Sequence, residues 1–435
     1  MQSSGSMLTK LLGASGWMML VKLLGAASGY ALAWMVTQNE GAAAYGRFEL
    51  GLTVLSIGAL AVRLGLDGVM VKWLASAKAQ GLVAIQRKVA GRAVLMVIVA
   101  GSLGWLGVHM GARALTKWAD DEAMMAMWPW VAAGIPLMGL WGLSAEMLRG
   151  LSQMKRYALT QQGLLTAVAV ALLWWTSWEV VPAYAAAVVM VTVLALGLMV
   201  SGLPWRDAVE PPVDAGQWGW KAMMTTGWPM LMGSAMYLVM SWSDTLLVSH
   251  FLEEDQVGVY RLTFKLAAVV TLVQAAVNSY AAPLFAERHA VGDQRGLRDA
   301  LRHATLLNVA FSVPAFVAIV VLGPMVLHWF GPEFAQGQSC LLWLAIGQLS
   351  MTLCGPVMYV LNMTGFERIG NRILWSTALI NIALNVWIIP RHGIEGAAFA
   401  TALSLALWNG AAAWAVHKKL GLSVWRDVFR GGKQR

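Results

Sequence analysis

Apolar residues in this chain come in long blocks of about twenty, the length a helix needs to cross a hydrocarbon core of about 30 Å. Residues 93–112, 128–147 and 184–202 are three of them. Hydrocarbon offers the backbone no hydrogen-bond partner, so each block must satisfy its own amides and fold as a helix. Only 12% of the 435 residues are charged. A water-soluble domain carries about 25%, and half that fraction cannot cover a wet surface of this size. Spans are predicted at 11–36, 48–72, 91–112, 126–148, 157–177, 181–202, 222–248, 257–284, 303–324, 338–361, 370–389 and 394–416. The first apolar run carries Lys22 and has a counterpart in mid-chain, so it reads as a retained span and not as a cleaved leader. The expected fold is an all-α integral membrane protein.

Basic residues set the expected orientation. With the N-terminus inside, twenty-three of the 31 Lys and Arg residues fall on the inner side. Four (Arg47, Arg113, Lys117 and Arg391) fall on the outer side. Both termini are therefore expected in the cytoplasm, and the net charge of +9 is a topology signal that requires no nucleic-acid partner. Many of the 23 tryptophans stand at block ends, among them Trp118, Trp128, Trp178 and Trp329, where amphipathic rings anchor at headgroup level.

Residues 203–220, with Pro204, Pro211 and Pro212, read as a cytoplasmic linker between an N-terminal lobe (1–202) and a C-terminal lobe (221–435). Short matches support the division. Ser15-Gly16-Trp17 corresponds to Thr226-Gly227-Trp228, Tyr45-Gly46-Arg47 to Val257-Gly258-Val259, and Trp130 through Gly134 to Trp343 through Gly347, in the same order and at nearly one offset. Six spans per half make the two lobes parallel repeats, related by an axis along the membrane normal, with a central cavity expected between them.

The order and spacing of several motifs resemble the polysaccharide-biosynthesis branch, the Wzx-type oligosaccharide flippases, of the multidrug/oligosaccharidyl-lipid/polysaccharide exporter superfamily. They are Tyr45-Gly46 with Phe48, then Leu64-Gly65-Leu66-Asp67, Asp244 with Leu246 and Leu247, Gly258-Val259-Tyr260, and Leu361 through Arg368. The resemblance covers nearly the whole chain. It implies a transporter and no enzyme, needing no cofactor, that passes a polyprenyl-diphosphate-linked oligosaccharide from inner to outer leaflet by alternating access. It further implies a bacterial inner membrane, contact with membrane lipids, proton or sodium as coupling ion, and polysaccharide polymerase machinery as a partner. Twelve spans leave no extra helices for an accessory lipid groove. An ion-coupled exporter of organic cations, from the multidrug branch, is the alternative.

Charges inside spans narrow the site, because each costs roughly 2.5–3.5 kcal/mol to insert. Lys22, Arg63, Arg261 and Lys265 are the candidate cavity cations for the diphosphate; Asp67, Glu146 and Asp244 are the candidates for ion coupling. Arg63 and Asp67 are four apart, so internal pairing competes with a cavity role. Arg261 and Lys265, also four apart, share one helix face. The basic segments 80–92 and 287–302 read as amphipathic helices on the inner leaflet. Cys340 and Cys354 show no metal or redox spacing, and the His250-x4-Asp255 pattern lacks the companions of an acyltransferase site.

Overall fold

The computed structural model describes residues 16–119, 121–160, 162–204 and 218–424, so most of the expected linker lies outside the described residues. These residues form fourteen α-helices and three short 3-10 turns, with no strand among them. In chain order the helices are α1 (Gly16–Val62), α2 (Leu66–Ala79), α3 (Val83–Ala119), α4 (Trp128–Gly150), α5 (Met154–Leu159), α6 (Gln162–Trp175) and α7 (Val180–Gly202). They continue as α8 (Trp220–Phe251), α9 (Glu254–Ala267), α10 (Leu272–Ala290), α11 (Gln294–Phe330), α12 (Gln338–Leu353), α13 (Val357–Met363) and α14 (Glu367–Leu420).

Eight stretches are long and apolar enough to cross a bilayer, and the bent pair that ends in α12 and α13 makes a ninth. Two of the eight are double. Gly41 (φ 81°) breaks α1, and Gly393 (φ 56°) breaks α14 into two antiparallel-length arms. Counting each arm and adding α8 gives twelve passages, as the block lengths predict.

The chain divides into two compact units. One takes the residues up to Glu40 with Arg47–Val239; the other takes Gly41–Gly46 with Met240 onward. The repeat read from short sequence matches is also visible in the backbone. Helices α3 and α11 are each 37 residues long, and each is followed by a 3-10 turn, Glu122–Ala126 and Pro332–Gly337. Gly81 and Gly292 precede them with φ of 72° and 70°. Ser152 and Gly365, after the next passage in each half, take φ of 60° and 82°.

Segments 83–92 and 294–302 are not separate surface helices. Each runs without a break into its span. At 1.5 Å per residue a 37-residue helix is about 55 Å long, so the basic end projects past the hydrocarbon. Asp293 caps α11: its carboxylate accepts from the Gly296 amide at 2.8 Å and from Arg288 at 3.0 Å. That amide and then Arg288 hold the carboxyl below the usual carboxylate range. Its contribution to stability is present above the ordinary carboxylate range and fades as pH falls through the lowered value.

Repetition is not exact. The fourth passage, α4, is continuous, whereas its counterpart breaks between α12 and α13 at Gly355 (φ 68°). A Cβ on Gly355 would lie 2.2 Å from Thr305 Oγ1, so glycine both makes the left-handed turn and admits α11 close to it. Phe285, Leu297, Leu301, Val357, Val360 and Val416 belong to one buried apolar cluster of the second unit.

Candidate functional site

Asp244 of α8 lies in the second unit and is only 3% exposed. Its Oδ2 accepts from Thr401 Oγ1 at 2.6 Å and from the Tyr260 hydroxyl at 3.2 Å, and its Oδ1 accepts from Asn385 Nδ2 at 2.6 Å. Asn385 Nδ2 also donates to Asn381 Oδ1 at 3.1 Å, and Ser243 donates to the same oxygen at 3.4 Å. The Thr401 hydroxyl is shared with the Ala397 carbonyl at 2.9 Å. The break at Gly393 makes this possible, because it folds the second arm of α14 back so that Thr401 stands beside Asn385 on the first.

No basic side chain lies within ion-pair distance of Asp244 among the described residues, and neutral donors alone surround it. Each hydrogen bond to an ionised group contributes about 1.5–3 kcal/mol. Three such bonds do not neutralise a carboxylate at bilayer depth, where charge is expensive. Asn385 Oδ1 is buried without a partner beside it. Together with the carboxylate, Asn381 Oδ1, Thr401 Oγ1 and the Ala397 carbonyl, it forms an all-oxygen set of the kind hard cations prefer.

In the first unit Arg63 follows α1, where Leu64 (φ 54°) and Gly65 (φ 75°) take left-handed conformations and break the helix before α2. Its guanidinium pairs with Asp67 Oδ2 at 2.9 Å, donates to the Ala59 carbonyl at 3.1 Å, and lies over Gly142 of α4. One turn farther along α4, Glu146 pairs with Arg149 at 2.6 Å. The four charges act on one another, two of each sign. The i, i+4 pairing read from the sequence is therefore present, and Arg149, which the sequence places in a loop, closes the cluster. Arg63→Ala should cost about 2 kcal/mol, less than the 3–5 kcal/mol of a fully buried pair, because water still reaches a fifth of each side chain. Arg63→Leu combined with Asp67→Leu should recover most of that loss. Thermal melting of the detergent-solubilised protein compares the single and double variants.

Arg261 and Lys265 lie on α9 within the second unit. The Arg261 guanidinium sits 4.6 Å from the Trp242 ring and 5.8 Å from Phe264, and donates to Thr245 Oγ1 at 3.2 Å. Lys265 donates to the Tyr45 hydroxyl at 3.1 Å, with its ammonium 5.6 Å from that ring. Aromatic faces hold a cation without discharging it. The backbone of Lys22 is helical, but its side chain lies outside the described residues.

Sequence reasoning singled out Asp244 but missed Asn381, Asn385 and Thr401. The signal was present: two asparagines one turn apart in an otherwise apolar span share a helix face.

A family described as polysaccharide biosynthesis protein matches residues 11–289, and one described as MatE matches residues 229–387. The chain is 29% identical over 171 residues to a probable low-salt glycan biosynthesis flippase of Haloferax volcanii, and 28% identical over 170 residues to a probable flippase of the same organism. Each match covers 38% of this chain and 36% of the relative, so the chain spans about a third of the length of the curated relatives it matches. Among solved structures, an inward-facing multidrug resistance MATE family transporter of the MOP superfamily is similar at a TM-score of 0.74, with 11% identity, 93% of this chain and 98% of that one covered. A MOP superfamily transporter from Pyrococcus furiosus, described as having a binding pocket of reverse polarity, matches at a TM-score of 0.66, with 11% identity and 94% and 95% covered. The fold is that of the MATE transporters.

Proposed function

The chain belongs to the polysaccharide biosynthesis protein family, and from that premise we propose that it is a flippase for a polyprenyl-diphosphate-linked oligosaccharide. It moves this substrate from the inner to the outer leaflet of a bacterial inner membrane by alternating access between its two lobes. The observation that carries the reading is the pair Arg261 and Lys265, cations four residues apart in the outer half of the eighth expected span and cushioned on Trp242, Phe264 and Tyr45. A diphosphate headgroup needs positive charge while it crosses a low-dielectric region, and arginine grips phosphate through a planar fork. In the first unit the same reading assigns Lys22 and Arg63 as substrate-binding cations, Arg63 once it exchanges Asp67 for phosphate. Both Haloferax relatives are named as probable flippases, and one of them as a glycan biosynthesis flippase, which supports the same direction of reading.

Asp244 is the coupling site of this reading, loaded by a proton or sodium ion, with Asp67 and Glu146 as the acidic groups of the first unit. The product enters polysaccharide polymerase machinery on the far side. A second reading, an ion-coupled exporter of organic cations, is favoured by the MATE fold alone.

The test uses the full chain in proteoliposomes with a fluorescent lipid-linked oligosaccharide. Wild type should make the label accessible to an external quencher, and Lys22→Ala should slow that step by about tenfold, the loss of roughly 1.4 kcal/mol of charge stabilisation. Transport of organic cations with no movement of the lipid-linked sugar would replace the first reading with the second.

A further inference from the structure

Within the second unit, three neighbouring passages lose regular backbone bonds within about two turns of one another. A 3-10 turn, Ala268–Thr271, separates α9 from α10. Pro314, inside α11, has no N–H for the Ala310 carbonyl one turn back. Between α12 and α13 the Val357 N–H turns to the Gly355 carbonyl at 2.9 Å, which releases the Leu353 carbonyl from its helical bond. Contacts tie these breaks together. Ser312 of α11 donates to the Val270 carbonyl at 2.6 Å, and Thr305 of α11 packs against Gly355.

Buried amides stand between the contacts. α10 and α11 are joined by a short turn and run antiparallel, with Val270 opposite Ser312 at one end and Phe285 clustered with Leu297 at the other. That register sets Gln274 opposite Asn308, and Asn278 opposite the Ala304–Thr305 step one turn farther on. Gln274, Asn278 and Asn308 are at most 5% exposed. Gln274 Oε1, Asn278 Oδ1, Asn308 Oδ1 and Asn308 Nδ2 are buried without a hydrogen-bond partner among the described residues. A cation would satisfy the oxygens and leave the Asn308 amino group facing positive charge. An anion would satisfy that amino group and oppose the oxygens. Water donates and accepts, and a buried water is held by two to four polar partners.

We propose that ordered water molecules bind among Gln274, Asn278 and Asn308, bridge them to the released carbonyls of Ala310 and Leu353, and make this level of the second unit a hinge. At bilayer depth an interrupted backbone persists where side chains and ordered water replace the missing bonds. Water also exchanges partners as helices bend, whereas direct side-chain bonds would hold them in one arrangement. The water site stands on this geometry alone, and the use of its hinge in moving substrate rests on the flippase reading.

The experiment uses the full-length protein in lipid vesicles exposed to an X-ray pulse, which splits bound water in place and oxidises the nearest sulfur. Cys354, beside the break at Gly355, should be oxidised about tenfold faster than Cys340, which is fully buried and bonded to Thr263. Asn308→Leu, similar in size and without polar atoms, should remove that difference. It should also slow deuterium exchange at the amides of 268–271 and 353–357 about tenfold, with no loss of melting temperature. Asn308→Ser, which keeps a polar group and leaves room for another water, should retain the fast oxidation. Equal oxidation of the two cysteines would overturn the water site, as would fast oxidation of Cys354 that survives Asn308→Leu. Oxidation of Cys354 that falls when sodium or potassium replaces choline in the buffer would assign the pocket to a cation and overturn it too. Unchanged deuterium exchange in Asn308→Leu would remove the hinge. Flipping of the lipid-linked oligosaccharide is measured in the same vesicles. Wild-type flipping with equal cysteine oxidation retains the flippase reading and removes the water site; fast, Asn308-dependent oxidation without wild-type flipping retains the site and removes that reading.

Discussion

Asp244→Asn is expected to lower gradient-driven transport by about a hundredfold, roughly 2.7 kcal/mol, while leaving the protein folded and its ungated exchange of substrate intact. Asparagine keeps the shape of the side chain and one acceptor oxygen, so the Thr401 bond at 2.6 Å can persist. It loses the charge that binds a proton or sodium ion. Its new amide group also faces Asn385 Nδ2, itself a donor. That conflict costs about 1–3 kcal/mol, the penalty of an unmatched buried polar group. Proteoliposomes separate the two effects. Uptake under an imposed proton or sodium gradient should collapse, and counterflow with substrate on both sides at zero gradient should continue. Asp244→Leu removes every acceptor and should lower the melting temperature as well. A gradient-driven rate that survives Asp244→Asn would move the coupling role to Asp67 and Glu146.

Gly65→Ala should be the most damaging single-methyl change in the first unit. Gly65 takes φ 75°, a region that costs an L-residue about 1–2 kcal/mol. A Cβ there would also lie 2.0 Å from the Gly227 carbonyl oxygen and 2.7 Å from the Leu231 amide nitrogen. Both obstacles are helix backbone, which cannot rotate aside as a side chain would, and overpacking of this kind adds about 1–3 kcal/mol or more. The total, about 4 kcal/mol, approaches the whole stability of a marginal protein. Gly81→Ala is the matched control. It has the same left-handed backbone, at φ 72°, with nothing within 4 Å of the added Cβ, so it should show only the conformational cost. Monodisperse yield and melting temperature of the two variants compare the terms directly, and equal losses would mean that the close approach of α8 contributes nothing.

The same pair of glycines shows how far the sequence could be read. Gly65 belongs to the motif Leu64-Gly65-Leu66-Asp67 that carried the family resemblance, yet span 48–72 was expected as one helix. The break arises because α8, more than 150 residues later, requires Gly65 to have no side chain. The discontinuity at Gly355 is hidden in the same way, since Thr305 of another helix decides it. Arg63 with Asp67 was legible as a four-residue spacing, and the pair forms across the break at Gly65. Arg149, Asn385 and Thr401 were not, because nothing in their local sequence tells which acid they will face.

The sequence by itself determined the twelve helical passages, the duplication and which charges fall within the spans. These follow from the cost of placing each residue in hydrocarbon, a property read one residue at a time. Only the tertiary structure decided that Asp244 is surrounded by neutral donors, that Arg261 and Lys265 rest on aromatic rings, and that Gln274 and Asn308 are buried opposite each other. Each of these depends on distances between residues far apart in the chain. In the membrane, apolar side chains are nearly indifferent to which apolar neighbour they meet, so hydropathy fixes depth, and packing of small residues and hydrogen bonding choose the partner.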